Sequence, residues 1–187
     1  RDVLRQAIRQ VVYEAEPGRV AFTEIGGSIV QRPIDYPDVG LDFYDLIESE
    51  DPARNVRRLA TAIQHAPMPL TGPLFKFALF QTRVDEFYLF GCCHHIAMDG
   101  LGMALVCRRI ATIYSALVAG EEVRPAYFGS LRDLVELETA YAASGDFQDD
   151  QTYWGRHLPP ESGLDPWRRK AAIDRDAHAP SAPIRFD

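Results

Sequence analysis

Two adjacent imidazoles, a carboxylate and a glycine stand close together in His94-His95-Ile96-Ala97-Met98-Asp99-Gly100. Imidazole as a class titrates near about pH 6.5, so at neutral pH it can take a proton from an attacking amine or hydroxyl, or hold that group in place. No serine or cysteine nucleophile is required for such chemistry. Asp99 is either a second chemical group or an anchor for the turn. The anchor is favoured, because a buried carboxylate needs a basic partner and an acid just past a turn serves geometry. Gly100 allows a substrate carbonyl to approach the backbone, where the amides that open the next helix face a developing oxyanion.

Cys92-Cys93 immediately precede the histidines, and two thiolates with two imidazoles are the ligand types of a zinc site. Their spacing opposes it. Consecutive strand residues point to opposite faces, so four adjacent side chains cannot close around one ion. The cysteines read as small buried hydrophobes. The histidines have a plain reading too, as hydrogen-bonded residues ending a buried strand. Alternation places His95 on the face of Phe87, Leu89 and Gly91, so that it emerges into an apolar-walled channel while His94 turns into supporting structure.

The surrounding pattern says what must position these groups. Val3-Leu4, Ala7-Ile8 and Val11-Val12 recur at helical spacing up to Pro17-Gly18. Residues 19–34 carry two β-type runs around Gly26-Gly27, a hairpin. Val56, Leu59, Ala60 and Ile63 predict a helix over about 53–66, stopped by Pro67 and Pro69. Two paired strands follow, over about 74–80 and 86–93, the second expected to be deeply buried. Met103, Val106, Ile110, Ile113 and Leu117 mark a long helix over 101–119, ending at Gly120. The motif therefore sits on a strand-to-helix junction, a place where α/β folds set reactive groups. A helix over about 131–142 and a short helical stretch at Tyr153-Trp154 come next, with that aromatic pair expected in the core. Arg108-Arg109 are expected to face solvent or the rear of the long helix. From Pro159 onward prolines and charges replace periodic apolar residues, as in a linker, and the basic run over 167–170 reads as a solvated loop. Mixed order of helices and strands without strict alternation favours an α/β (α+β) two-layer sandwich.

The 187 residues carry 47% hydrophobic residues and a formal charge of −7. That suits one substantial core and opposes a phosphate-backbone partner, which needs a basic face. DNA and RNA are excluded as expected partners. No uninterrupted apolar stretch of membrane-spanning length is apparent, the first residues lack a signal peptide's apolar core, and three cysteines are poor material for a disulfide framework. A cytoplasmic protein without a membrane partner is the expectation. The chain opens inside what reads as a helix, at Arg1, as a piece of a longer polypeptide would.

The run from His94 to Gly100 resembles the HHxxxDG signature of condensation domains of nonribosomal peptide synthetases, relatives of chloramphenicol acetyltransferase. Around it the first helix, Gly18-Arg19, Pro73-Leu74-Phe75-Lys76, the long helix and Tyr153-Trp154 follow in family order. The resemblance implies a chloramphenicol acetyltransferase-like fold with a mixed sheet and flanking helices. It implies that residues 1–158 are the N-terminal subdomain, lacking its first strand, in one half of a V-shaped pseudo-dimer, and that 159–187 lead toward a C-terminal subdomain. His95 is implied as the catalytic histidine and His94 as its support. Asp99 is implied as structural, paired with the last arginine of an upstream RHxxLR motif, which Arg19 matches; Glu14-Ala15-Glu16-Pro17-Gly18 keeps none of the motif's other signature residues. The implied activity is amide-bond formation between aminoacyl or peptidyl thioesters carried on the 4'-phosphopantetheine of donor and acceptor carrier domains, within a multidomain synthetase and with no cofactor bound by this domain. Epimerization and ester-forming acyltransferase domains share the motif, and a non-catalytic carrier-docking module remains the other alternative.

Overall fold

A computed structural model describes residues 1–35 and 39–158. The linker expected over 159–187 and the basic run within it lie outside the described residues. The chain divides into two compact units, Arg1–Leu134 and a second beginning at Val135.

In the first unit, α1 (Asp2–Glu14) carries Ala7, Ile8, Val11 and Val12 on one buried face, and the 3₁₀ turn Glu16–Arg19 follows it. β1 (Val20–Ile25) and β2 (Ser28–Pro33) form the expected hairpin. Its turn residues Gly26 and Gly27 both have positive φ, which glycine alone adopts freely. β3 (Leu41–Asp45) was not expected; it pairs in parallel with the centre of β4 (Phe75–Arg83). α2 (Pro52–His65) links them, opened by Asp51, whose carboxylate accepts the Arg54 amide at 2.9 Å. Lys76 lies at its other end and donates from Nζ to the carbonyls of Ile63, Ala66 and Pro67, a favourable place for a cation. β5 (Glu86–Cys93) pairs antiparallel with β4, giving the order β3-β4-β5.

β4 is the central strand and the buried one, while Phe87, Tyr88 and Leu89 of β5 are exposed. The expectation of a deeply buried β5 is therefore corrected: β5 is bonded on one side only among the described residues, and an edge strand does not receive the cover of a central one. α1 and α3 (Gly100–Ala119) pack on one face of the sheet, where Ile8, Val11, Val106, Ile110 and Ile113 meet Leu41, Phe75, Phe77 and Leu79. Gly91 makes this approach possible, since a Cβ there would stand 2.8 Å from Met103 Cε and 3.1 Å from Phe77 Cε1. Helix, sheet and motif are thus joined in one two-layer α/β core.

With 20 residues and a mean hydropathy of 1.5, α3 is long and apolar enough to cross a membrane by length and composition. Here it carries the core side chains just named, together with a buried, ion-paired arginine. α4 (Leu131–Ala142) runs across the division between the units. In the second, α5 (Gly145–His157) starts at Ser144, whose hydroxyl accepts the Phe147 amide at 3.2 Å. Tyr153 and Trp154 are exposed, which corrects their expected place in the core. They stack edge-on with each other, and Tyr153 stacks on His157.

Candidate active site

β5 ends at Cys93, and the chain turns through His94 to Asp99 before α3 begins. The turn is closed locally. The His94 amide donates to the Leu74 carbonyl at 3.0 Å, the Ala97 amide returns to the His94 carbonyl at 3.0 Å, and the Ile96 amide donates to His94 Nδ1 at 3.1 Å. That last bond requires Nδ1 to be an acceptor, so a neutral His94 carries its proton on Nε2. The ring of His94 is thereby held by the turn it closes. His95 is exposed and makes no hydrogen bond to a described residue, which leaves both ring nitrogens open.

Asp99 caps α3, accepting the Gly102 amide at 2.8 Å on Oδ1. It holds the turn through a backbone amide at an exposed position, not through the buried ion pair expected. No ion pair joins it to Arg19, and that expected contact is corrected. Arg19 is buried in the 3₁₀ turn, where it donates to the carbonyls of Tyr13 at 3.0 Å and Ile34 at 2.8 Å, and to Glu16 at 3.2 Å. Each of its three nitrogens donates to one of these nearby acceptors. Gly100 opens the helix with nothing within 4 Å of its Cβ direction. Because Asp99 takes the Gly102 amide, the amides of Gly100 and Leu101 are those left open at the helix start.

His95 borders a cavity of about 510 Å³. The motif residues from His95 to Asp99, with Gly102 and Leu105, form one wall; Ala15 and Pro17 form a second; Phe128 and Gly129 form a third. Beside it, Arg109 is 2% exposed, which corrects its expected solvent or rear-facing position. Its guanidinium grips Glu14, Nε to Oε2 at 2.7 Å and Nη2 to Oε1 at 2.9 Å. Burial pushes the Glu14 carboxyl up, but hydrogen bonds from Arg109 and Gln10 and the guanidinium charge outweigh it and hold the group below its ordinary value. Bonding to Glu14 likewise raises Arg109. Sequence reasoning missed this pair, although Val106, Arg109 and Ile113 fall on one helical stripe and a cation on an apolar stripe requires a carboxylate. Phe128 and Gly129 carried no signal at all, since the loop before α4 has no periodicity.

Cys92 and Cys93 are half-buried, and burial raises both thiols. They rest protonated at neutral pH.

The condensation domain family model matches residues 1–165. The chain belongs to the condensation domain family. It is 34% identical over 153 residues to a dimodular nonribosomal peptide synthase of Bacillus subtilis (strain 168), covering 81% of this chain and 6% of that protein. It is 29% identical over 170 residues to enterobactin synthase component F of Escherichia coli O157:H7, covering 88% and 13%. The starter condensation domain of rhizomide synthetase superposes with a TM-score of 0.78 at 32% identity, over 85% of this chain and 39% of that one. The chain thus spans a small part of these synthetases and less than half of the solved domain.

Two departures from the condensation domain pattern acquire a structural reading. Glu14 stands where RHxxLR has its first arginine, and it is an acid that holds Arg109. Gly102 stands where many condensation domains carry serine; a Cβ there would lie 2.4 Å from Met98 Cγ, so Met98 fills the space a side chain would take.

Proposed function

We propose that this chain supplies the histidine-bearing half of a domain that forms amide bonds between an aminoacyl or peptidyl donor and an aminoacyl acceptor. Both are held as thioesters on the 4'-phosphopantetheine of carrier domains in a cytoplasmic multidomain synthetase. The observation that carries this reading is His95: an unbonded imidazole at the wall of a cavity, next to a helix start rigidified by Asp99.

In the proposed reaction the acceptor amine attacks the donor's thioester carbonyl. The C–N bond forms, the C–S bond breaks, and the donor's phosphopantetheine thiol leaves. His95 takes or orients the proton of the amine, and the proton ends on the departing sulfur. His94 supports the turn that sets His95. The open amides of Gly100 and Leu101 are assigned to the carbonyl oxygen as it gathers charge. The thioester itself stores the free energy for amide formation. The opposite wall of the tunnel is assigned to the remainder of the synthetase, which excludes water and aligns the two arms.

The test is single-turnover condensation between a carrier-bound donor and a carrier-bound acceptor, using the full-length parent with and without His95→Ala and reading products by intact mass. The expected result is amide formation that falls at least about a hundredfold in the variant. Inversion or esterification without amide would move the chain to the epimerization or ester-forming relatives. No product from any substrate would leave carrier docking.

A further inference from the structure

One wall of the cavity beside His95 comes from a segment without regular structure. Phe128 and Gly129 lie in residues 124–131, a strap between α3 and α4 with no regular structure before Leu131. Three fastenings hold it. At one end Arg109 Nη2 donates to the Arg124 carbonyl at 2.8 Å while the same nitrogen holds Glu14. At the other end the Leu131 amide donates to Glu16 Oε2 at 2.7 Å. Between them the Tyr127 hydroxyl donates to the Leu105 carbonyl at 2.6 Å, and its ring lies 5.9 Å from Arg109 Cζ and 4.7 Å from the ring of Phe128. Glu14 and Glu16 flank Ala15 and precede Pro17, and Ala15 and Pro17 line the cavity too. The same short stretch of α1 and its 3₁₀ turn therefore lines the cavity and fastens the strap.

We propose that Arg109, oriented by Glu14, is a positioning residue for the condensation site. It fixes Phe128 and Gly129 and so sets the width of the cavity through which an aminoacyl or peptidyl thioester reaches His95. The proposal rests on the condensation reading above. Arg109 touches no reacting atom. Its effect falls on binding that is equal in the ground and transition states, so its loss raises KM and leaves kcat nearly unchanged. Only a forked cation can do this, because two nitrogens hold the carboxylate while one of them also reaches the Arg124 carbonyl.

The test uses the full-length parent synthetase, amide hydrogen exchange over 126–131, and steady-state condensation. The double variant Glu14→Gln/Arg109→Met removes both charges, so that neither is left buried alone. It is expected to exchange about tenfold faster in the strap, with α1 and α3 unchanged, and to raise the KM for a carrier-bound thioester about tenfold with kcat within about threefold. Glu14→Gln alone keeps the bond from Arg109 to the Arg124 carbonyl but leaves the buried guanidinium without its carboxylate, and is expected to fall between the parent and the double variant in strap exchange and KM. Parent-level strap exchange in the double variant overturns the proposal, as does a loosened strap with an unchanged KM. Should the double variant lose protection in α1 and α3, Arg109→Lys keeps the charge without the fork: faster strap exchange then upholds the proposal and unchanged exchange overturns it. A parent that forms no amide removes the condensation reading, while strap exchange still decides whether Arg109 fixes the wall.

Discussion

Glu14 and Arg109 have side-chain exposures of 12% and 2%, so removing one charge leaves the other stranded in the core. Arg109→Met is expected to cost about 3–5 kcal/mol, whereas the double variant with Glu14→Gln costs far less, because what is lost in the single variant is mostly the penalty of an unpaired carboxylate. Urea denaturation across pH checks this with its sign. The Glu14 carboxyl is held below its ordinary value, so its contribution is complete above the unfolded carboxyl range of about pH 4.3 and is lost as pH falls through the lower folded value. The parent is expected to lose stability on acidification more steeply than the double variant. Equal stabilities of the single and double variants would contradict the account. At this scale the sequence was readable where geometry is local: the turn held by His94 and the helix cap of Asp99 lie at the strand-to-helix junction that type and spacing predict. Arg19 and Arg109 were not, because a guanidinium reaches far and its partner is chosen by the fold. Arg19 turned to carbonyls nearby, and Arg109 crossed to α1.

Helices announced themselves through their apolar stripes, and α1, α2 and α3 lie where periodicity put them. β3 did not. Leu41 and Phe43 alternate, but Asp42 and Asp45 break up the run, and its partner in β4 lies beyond α2, a pairing that no local pattern encodes. The burial of β4 and β5 was equally illegible, since two adjacent apolar strands look alike until the strand order decides which is central. The start of α3 depends on a different kind of local information. Asp99 takes the Gly102 amide, and by ordinary capping energetics Asp99→Ala is expected to cost about 1 kcal/mol, while Asp99→Asn keeps most of it. The consequence for activity belongs to the helix rather than to the carboxylate. Fraying its first turn would move the amides of Gly100 and Leu101, so the proposed condensation is expected to fall in Asp99→Ala and largely return in Asp99→Asn, read by the same single-turnover assay. If the asparagine variant were as inactive as the alanine one while equally stable to the parent, the charge of Asp99 would have a chemical role that capping does not supply.

For the whole chain, the decisive feature is apolar surface left exposed among the described residues. β5 is bonded to β4 alone among the described residues, and Phe87, Tyr88 and Leu89 follow one another along it at 49%, 48% and 43% exposure. Ile96 and Leu101, beside the motif, are exposed at 50% and 70%. An unpaired strand edge carrying consecutive aromatic and branched side chains is a template for association, and scattered single hydrophobes are not. Since the chain spans 39% of the rhizomide starter condensation domain, such surface is expected to be covered in the full-length parent and open in this chain alone. The isolated chain is therefore predicted to bind a hydrophobic dye and to self-associate with rising concentration in light scattering, and the parent to do so much less. Tyr88→Lys, which places a charge on the free strand without touching the motif, is predicted to reduce both signals. An isolated chain that stays monomeric and dye-free would mean that these side chains find cover within the chain in solution, and the expectation of a missing partner surface would fall with it.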